Sequence, residues 1–494
     1  MKWSPLVFLG LLCALPAAAQ PRIRAAHDPE QQFLAEYRLL THGLTSFPID
    51  DQRSTLGQNA WAEQRLRLMG KMSRPGQGLT IELGLDLFTG MVAGQTTTVG
   101  AEYVLFPRHQ RNAFERVEPR RLMVAWRSRI GELRLGHTAS NWGLGILANN
   151  GEGNLPFGYA HLGDLVERAA FATMPAQNLY VAAAVDLVYR DTNANLSNGD
   201  VAINTVGSLF YRTRQAFLGV YGGYRHQNDK DGDKLRVGVL DASGKIRQRL
   251  GRSGLIFGLG FEALAPFGST DRLRPEGHLE GVTVRAGGAV VRATLSHRPS
   301  RVGLTTELGY ASGDNDRGDD VARAASFHPD YAVGMVLFPE VLAAMSARAA
   351  DRAGDRAHVA VAPSGTENVP SNGSVTNALY VWTHFFLRPV RGLTLRAGLL
   401  YARSAADLVD PYLSFRAGGV NRNFLGGAGT ARELGFEVHA SARYRWALTP
   451  RLGVNFGLDW GHLFPGEALN DAAGRFMGGV DRVVGRFLLD WRYQ

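Results

Sequence analysis

Cysteine is nearly absent from this sequence: Cys13 is the single one in 494 residues. Beyond residue 19, no uninterrupted apolar run approaches the ~18 residues expected of a membrane-spanning helix. A chain with neither disulfides nor helical spans needs another source of stability. A closed ring of strands provides one, because it pairs every backbone group without leaving a free edge.

Motifs that carry catalysis are also missing, since the chain has no G-x-S-x-G, no HExxH and no P-loop. His137, Ser140 and Asn141 lie together in LGHTASNW, but nothing identifies a base, an orienting group and an oxyanion hole. The acidic clusters Asn228–Asp233 and Asp314–Asp316 do not fit the EF-hand spacing, and such turns need no metal. We predict no enzyme, no cofactor and no metal site, with a barrel lipase as the alternative of another class.

The N-terminus has the pattern of an export signal. Lys2 supplies the positive charge, residues 6–15 form an apolar core, and Ala17 to Ala19 provide a small-residue cleavage site. We predict a cleaved signal peptide over 1–19, a periplasmic segment over 20–32 and one barrel domain over 33–494. Cleavage would remove Cys13.

Alternation of apolar and polar residues recurs along the chain. Leu434 and every second residue up to Trp446 are apolar or aromatic, whereas Glu433 and most residues in between are polar. Such segments, separated by turn residues, are typical of transmembrane β-barrels, where the apolar face contacts lipid. This interpretation turns the following aromatic side chains toward lipid: Tyr444, Trp446, Trp460, Phe487, Trp491 and Tyr493.

The links between these segments are of two kinds. Short turns such as Arg74–Gly76 and Thr449–Arg451 alternate with long polar links, the largest at about 313–373, 404–431 and 91–117. Outer-membrane barrels sort short turns to the periplasm and long loops to the outside. With a first strand at Phe33–Gly43, we predict an all-β, antiparallel transmembrane barrel of about eighteen strands. Sixteen remain possible, because Ala101–Phe106 and Val333–Phe338 fit either the wall or a loop.

Basic residues exceed acidic ones by 54 to 45. One interpretation is that the inward charges form ion pairs that brace the wall. The other is that surplus arginines make the channel favour anions, because cationic rings attract anions where low-dielectric walls focus the field. The predicted lumen-facing, anion-facing residues are Arg65, Arg67, Arg127, Arg134, Arg396, Arg443, Arg445, Arg486 and Arg492. A long loop could also fold inward, and Ala343–Ala357 is suited to a short constricting helix.

Three stretches resemble the alginate-export family of outer-membrane barrel porins: LGYASGDNDRGDD with FHPDYAVG (Leu308–Gly334), LDWGHLFPGEAL (Leu458–Leu469) and the closing strand Asp481–Tyr493. The resemblance implies an eighteen-stranded barrel that passes an anionic polysaccharide. It also implies that the assembly machinery recognises an aromatic-rich last strand. Individual substrate-contacting arginines of the family do not transfer to positions here.

The sequence therefore predicts a passive channel in the Gram-negative outer membrane. Its expected contacts are outer-membrane lipid and lipopolysaccharide, the barrel-assembly machinery through the last strand, and an anionic solute or polysaccharide, with no nucleic acid. Export of an alginate-type polysaccharide is the main hypothesis, and a general or nutrient-uptake porin is the alternative. The residues do not encode the direction of transport.

Overall fold

The fold is described from a computed structural model. It covers residues 30–493 apart from 101–116, 154, 161–162, 276–277, 279, 356 and 358–365. The predicted signal peptide and the candidate strand at Ala101–Phe106 lie outside these residues. No helix of the described chain is long and apolar enough to cross a bilayer.

Strands dominate the fold. They are β1 (Glu30–Leu44), β2 (Ala60–Arg74), β3 (Leu79–Gly94), β4 (Val117–Arg127), β5 (Glu132–Ala139), β6 (Leu165–Ala176), β7 (Leu179–Arg190), β8 (Val201–Arg212), β9 (Ala216–Asn228), β10 (Lys234–Leu250), β11 (Leu255–Thr270), β12 (Val282–Arg285), β13 (Gly288–His297), β14 (Val302–Ala311), β15 (Val321–Ala322), β16 (Ala378–Leu387), β17 (Leu393–Ser404), β18 (Glu433–Ala447), β19 (Leu452–Pro465) and β20 (Val480–Tyr493). Besides short 3-10 turns at Pro75–Gln77, Leu196–Asn198, Thr366–Asn368 and Glu467–Leu469, the helices of the described chain are a π-helical turn (Leu337–Leu342), α1 (Ala343–Gly354) and α2 (Pro411–Arg416).

Eighteen of these strands form a closed antiparallel barrel. β1 pairs with β2 on one side and with β20 on the other, so the wall has no free edge. The short strands β12 and β15 pair in parallel with each other in the loops, and the wall bypasses them through β11–β13 and β14–β16. The predicted count of eighteen is confirmed, and the first strand begins at Glu30 rather than at Phe33.

Faces alternate along β18 as the sequence predicts, except at its start. Gly435 has φ +118°, and the pairing of β17 with β18 slips at Ala402/Arg403. The extra residue exchanges the faces of its neighbours. Leu434 is therefore buried inside, while the Glu433 carboxylate accepts a hydrogen bond from the outward-facing Tyr401 hydroxyl. The sequence-based assignment of these two residues was wrong for that reason.

Eight short turns lie at one rim, and the long loops lie at the other. Val333–Phe338, a candidate wall strand in the sequence, is not a strand. Its residues pass from coil into the π-helical turn, and all six are buried against the inner wall. This apolar stretch is buried because its loop folds into the barrel, where it joins Trp61, Tyr380 and other inward side chains in one hydrophobic cluster.

Candidate functional site

The lumen is occupied by a segment of the long loop between β14 and β16, here called the lumen segment (residues 327–354). Its chain enters a cradle formed by Glu437, which is fully buried on β18. The Glu437 carboxylate accepts backbone hydrogen bonds from Met335 (2.6 Å), Val336 (2.8 Å) and Leu337 (3.0 Å). His439 Nε2 lies 2.7 Å from the same carboxylate. A single wall charge thus anchors the start of the π-helical turn by charge-assisted hydrogen bonds.

Helix α1 is held by carboxylates of other loops. Arg348 Nε donates to Asp50 (2.9 Å), and Arg352 is bonded to both Asp51 and Asp410. Burial alone would raise the pKa of Asp50, but hydrogen bonds from Arg348 and from the backbone of Ser54 hold that pKa below its usual value. The Ala/Arg-rich stretch therefore forms the predicted short helix, and its arginines fix it at the long-loop end of the lumen.

The loop between β5 and β6 also enters the barrel, which the sequence analysis did not predict. Glu262 on β11 accepts the backbone N–H groups of Leu144, Gly145 (2.9 Å) and Leu147 (3.3 Å). Trp142 Nε1 donates to Asp241 (2.6 Å) on β10. Two wall carboxylates, one under each inward loop, thus each bind three closely spaced backbone N–H groups.

The tip of the loop between β5 and β6 packs among aromatic side chains on the inner wall. Phe157 is 1% exposed, and its ring stacks on His439 with centroids 4.8 Å apart. Trp382 and His384 lie at 6.3 Å and 6.1 Å from the same ring, and Gly398 leaves the room that the ring occupies. The Phe157 ring therefore covers this part of the inner wall.

The two inward loops bind each other. His328 Nε2 lies 2.9 Å from Asp164 Oδ1, and the backbone N–H of Gly163 donates to Asp330 (2.6 Å). The backbone N–H of His328 donates to the carbonyl of Ile146 (2.8 Å). The two loops therefore form one connected obstruction within the lumen.

The nine arginines that the sequence predicts to line the lumen all lie on the inner face, and eight of them are ion-paired. The pairs are Arg65–Glu36, Arg67–Asp86, Arg127–Glu132, Arg134–Glu132, Arg443–Asp459, Arg486–Asp459, Arg445–Asp490 and Arg492–Asp490. Arg396 has no ion-pair partner within the described chain. The bracing interpretation therefore accounts for most of this set. Their predicted role in anion passage stays a prediction.

The Arg67–Asp86 pair is bidentate and buried, with both bonds at 2.7 Å. We expect Asp86→Ala to destabilise the barrel by about 3–5 kcal/mol, because it leaves the buried guanidinium of Arg67 with only the more distant Glu152, at 3.9 Å, as a counter-charge. The loss of the fast-migrating folded band in gels, followed against temperature, measures this. Asp481→Ala removes an outward, half-exposed carboxylate and is expected to cost about 1 kcal/mol or less. Equal losses in the two variants would contradict the bracing role.

Unpaired positive charge is concentrated in a cavity that the sequence analysis missed. A cavity of about 740 Å³ opens at the short-turn end, beside β8–β11, β13, β14 and β16. Its cationic lining residues are Arg212, Arg214, Lys245, Arg247, Arg292, Arg298, Arg301 and Arg388. No acidic residue is among the described residues that line it. Phe217, Ile256 and Phe386 add apolar surface.

Most of these cations lack a counter-charge. Arg292 pairs with Glu307 at 2.6 Å. Within the described part of the chain, the lining cations in no ion pair are Arg214, Lys245, Arg247, Arg298, Arg301 and Arg388. The sequence feature that could have revealed this cavity lies in the short turns. TRQ at 213–215, RPSR at 298–301 and RPVRG at 388–392 contain arginine and no acidic residue.

The predicted lipid-facing aromatic residues lie on the outer face. Trp446 is 54% exposed, and Trp491 packs edge-on against Phe33 of β1. His137, in contrast, does not form a catalytic arrangement with Ser140. Its ring nitrogens lie against Glu167 (2.6 Å) and the carbonyl of Pro119 (3.1 Å), while the Ser140 hydroxyl accepts from Arg168.

Carboxylates of the two acidic turns, which do not fit the EF-hand spacing, are bound by protein groups. Asp229 pairs with Arg272 and Asp233 with Arg274, while Asp314 accepts backbone N–H groups of Asp316 and Arg323. Within the described residues, no group of three or more His, Cys, Asp or Glu side chains is placed to hold a metal ion.

No family model matches the chain. No curated protein sequence matches it either. Solved structures do match in fold. Acinetobacter baumannii OccAB1 has a TM-score of 0.52 at 9% identity, over 94% of this chain and 96% of its own. Pseudomonas aeruginosa OpdK with vanillate has a TM-score of 0.50 at 11% identity, over 94% and 98%. Pseudomonas aeruginosa OccK5 (OpdH) has a TM-score of 0.50 at 9% identity, over 94% and 98%.

These identities are too low to carry function, but the shared architecture covers nearly the whole length of each chain. The alginate-export part of the sequence resemblance finds no support among the matching structures, whereas the porin part does. By its fold, the chain is a closed eighteen-stranded antiparallel β-barrel that matches solved outer-membrane porin structures.

Proposed function

We propose that the protein is a passive outer-membrane channel, not an enzyme, that lets small anionic solutes into the periplasm. The observation that carries this proposal is the cationic cavity at the short-turn end, which faces the periplasm in barrels of this kind. Unpaired cations on low-dielectric walls focus a positive potential in the lumen and raise the local concentration of anions. A passive pore works in both directions, so the solute gradient sets the direction of net transport.

The cavity suits anions that also have an apolar body. Phe217 and Phe386 lie among its cations, and Arg388 is placed over the Phe386 ring at 5.0 Å. Guanidinium groups bind carboxylates through paired N–H donors, and the rings provide contact area for an aromatic solute. A fold relative was solved with vanillate, an aromatic carboxylate. We therefore propose small carboxylates, aromatic ones included, as the solute class.

Polysaccharide export, the main hypothesis from the sequence, has less support. Two inward loops bind each other and are anchored to the wall by Glu437 and Glu262. A polymer would need a continuous wide passage, whereas a small solute needs only a gap beside the loops. The expected contacts with lipopolysaccharide and with the barrel-assembly machinery remain predictions.

Single-channel recording in planar bilayers tests the proposal. With a KCl gradient across the membrane, we expect a reversal potential of the sign that denotes chloride preference. Adding vanillate on the periplasmic side should produce reversible current blocks, and an equal concentration of the neutral vanillyl alcohol should not. A chloride-indifferent or cation-preferring current would contradict the proposal, as would equal block by the two compounds.

A further inference from the structure

The charge of the eight short turns is of one sign. These turns, at 75–78, 128–131, 177–178, 213–215, 251–254, 298–301, 388–392 and 448–451, contain no Asp, Glu or Lys. They contain eight arginines: Arg129, Arg214, Arg252, Arg298, Arg301, Arg388, Arg391 and Arg451. All eight are exposed, and none is ion-paired within the described chain. Loops at the opposite rim, in contrast, carry many acidic residues.

These arginines fall into two sets of four. Arg214, Arg298, Arg301 and Arg388, here the mouth arginines, line the cationic cavity. Arg129, Arg252, Arg391 and Arg451, here the rim arginines, do not line it. The rim arginines lie in the turns β4–β5, β10–β11, β16–β17 and β18–β19, so they are spread around the circumference. Anion passage through the cavity therefore does not explain the second set.

Each rim arginine has an exposed aliphatic residue within three positions in sequence. Ile130 is 75% exposed beside Arg129, and Val390 is 54% exposed beside Arg391. Leu250 and Leu448 are exposed near Arg252 and Arg451. Isolated apolar residues are common on soluble surfaces, but their recurrence beside an unpaired arginine suits the boundary between hydrocarbon and headgroups.

Aromatic residues mark the same boundary. Trp126 and Trp446 are each 54% exposed, two positions before the turns at 128–131 and 448–451. Arg451 lies over the outward ring of Tyr493 at 5.1 Å. Tryptophan and tyrosine favour the membrane interface, where one part of the ring is in lipid and the other is wet. The turns that hold Arg129 and Arg451 thus lie beside aromatic residues of the kind found at the interface, and Arg451 faces outward.

We infer that the rim arginines form a collar that binds anionic phospholipid headgroups of the inner leaflet. Guanidinium groups form forked hydrogen bonds with phosphate oxygens, and a net negative headgroup adds long-range attraction. The neighbouring aliphatic side chains would insert between the acyl chains and hold each arginine beside a phosphate. This goes beyond solute passage, because it concerns the outer wall.

Tryptophan quenching by brominated lipids tests the collar, since Trp126, Trp446 and Trp491 lie near it on the outer face. The full barrel is reconstituted in phosphatidylcholine vesicles that contain a minor fraction of brominated phosphatidylglycerol or of brominated phosphatidylcholine. We expect the anionic lipid to associate on the order of fivefold more strongly. The preference should fall steeply in 1 M salt, because salt screens exposed charges.

Two variants distinguish the role of the rim arginines from that of the mouth arginines. In Arg129→Gln/Arg252→Gln/Arg391→Gln/Arg451→Gln, we expect the preference for the anionic lipid to fall to about onefold, while chloride preference is kept. The matched control, Arg214→Gln/Arg298→Gln/Arg301→Gln/Arg388→Gln, removes equal charge from the same rim and should keep the lipid preference. Gel mobility of the unheated protein confirms that each barrel is folded. A wild type without lipid preference, or equal loss in both variants, would overturn the collar.

Discussion

Replacing the mouth arginines by glutamate (Arg214→Glu, Arg298→Glu, Arg301→Glu and Arg388→Glu) is expected to turn the channel from chloride-preferring to potassium-preferring. The change reverses four charges in a cavity that has no acidic lining residue among those described. Each exchange changes the charge by two units, so the total change is eight units. At about 10 Å from a passing ion and in 0.1 M salt, this change alters the electrostatic energy of the ion by on the order of 1 kcal/mol. Because potassium is stabilised and chloride is destabilised by this amount, the permeability ratio changes by about 2 kcal/mol, or about thirtyfold.

The measurement is the reversal potential in a KCl gradient, before and after the exchange. A control variant, Arg236→Glu/Arg285→Glu/Arg403→Glu/Arg416→Glu, alters exposed arginines that do not line the cavity. It carries the same change in net charge and should keep most of the chloride preference. If both variants shifted the reversal potential equally, total charge and not the cavity would set the selectivity.

Removing the Glu437 carboxylate is expected to release the lumen segment. Glu437→Ala leaves the backbone N–H groups of Met335, Val336 and Leu337 without their acceptor, at about 1–3 kcal/mol for each buried group. Even a total near 3 kcal/mol changes the ratio of docked to undocked segments about a hundredfold. We expect higher single-channel conductance with frequent large fluctuations, and faster protease cleavage of the loop.

Two controls define this result. Glu437→Gln keeps the size and one acceptor oxygen, so its effect should be intermediate. Glu433→Ala removes a carboxylate from the same strand, but from the outer face beyond the bulge at Gly435. It should leave conductance unchanged. A Glu437→Ala channel with wild-type conductance and protease resistance would show that the apolar contacts of the segment hold it without the cradle.

The sequence was sufficient to predict the strands of the wall, but it was insufficient to predict which segments fill the lumen. Alternation has a local cause, because each strand residue meets either lipid or the interior, and Arg67 and Trp460 lie on opposite faces of the wall as the alternation requires. The assignment failed for Glu433 and Leu434, since one extra residue near Gly435 reverses the alternation and leaves no periodic mark. At Val333–Phe338 alternation left both the wall and a loop open, because apolar side chains of an inward loop are buried in the lumen as fully as wall residues are covered by lipid.

The candidate site depends on contacts that are remote in sequence. The loop between β5 and β6 enters the lumen because Glu262, more than a hundred residues away, accepts its N–H groups. No local pattern encodes that pairing. Similarly, inward position alone could not separate bracing arginines such as Arg67 from unpaired ones such as Arg298, because the difference lies in whether a carboxylate faces them across the strands.

The pairing of Phe33 with Tyr493 joins the two ends of the described chain in one seam. Such a contact requires the longest possible loop closure, which makes it slow to form and late in folding. Until that step, both unpaired margins would be open to pairing with other polypeptides. Between synthesis and closure, the open edges of the sheet must therefore be protected from other polypeptides. Chains shortened at either end of the barrel would remain as open, aggregation-prone sheets.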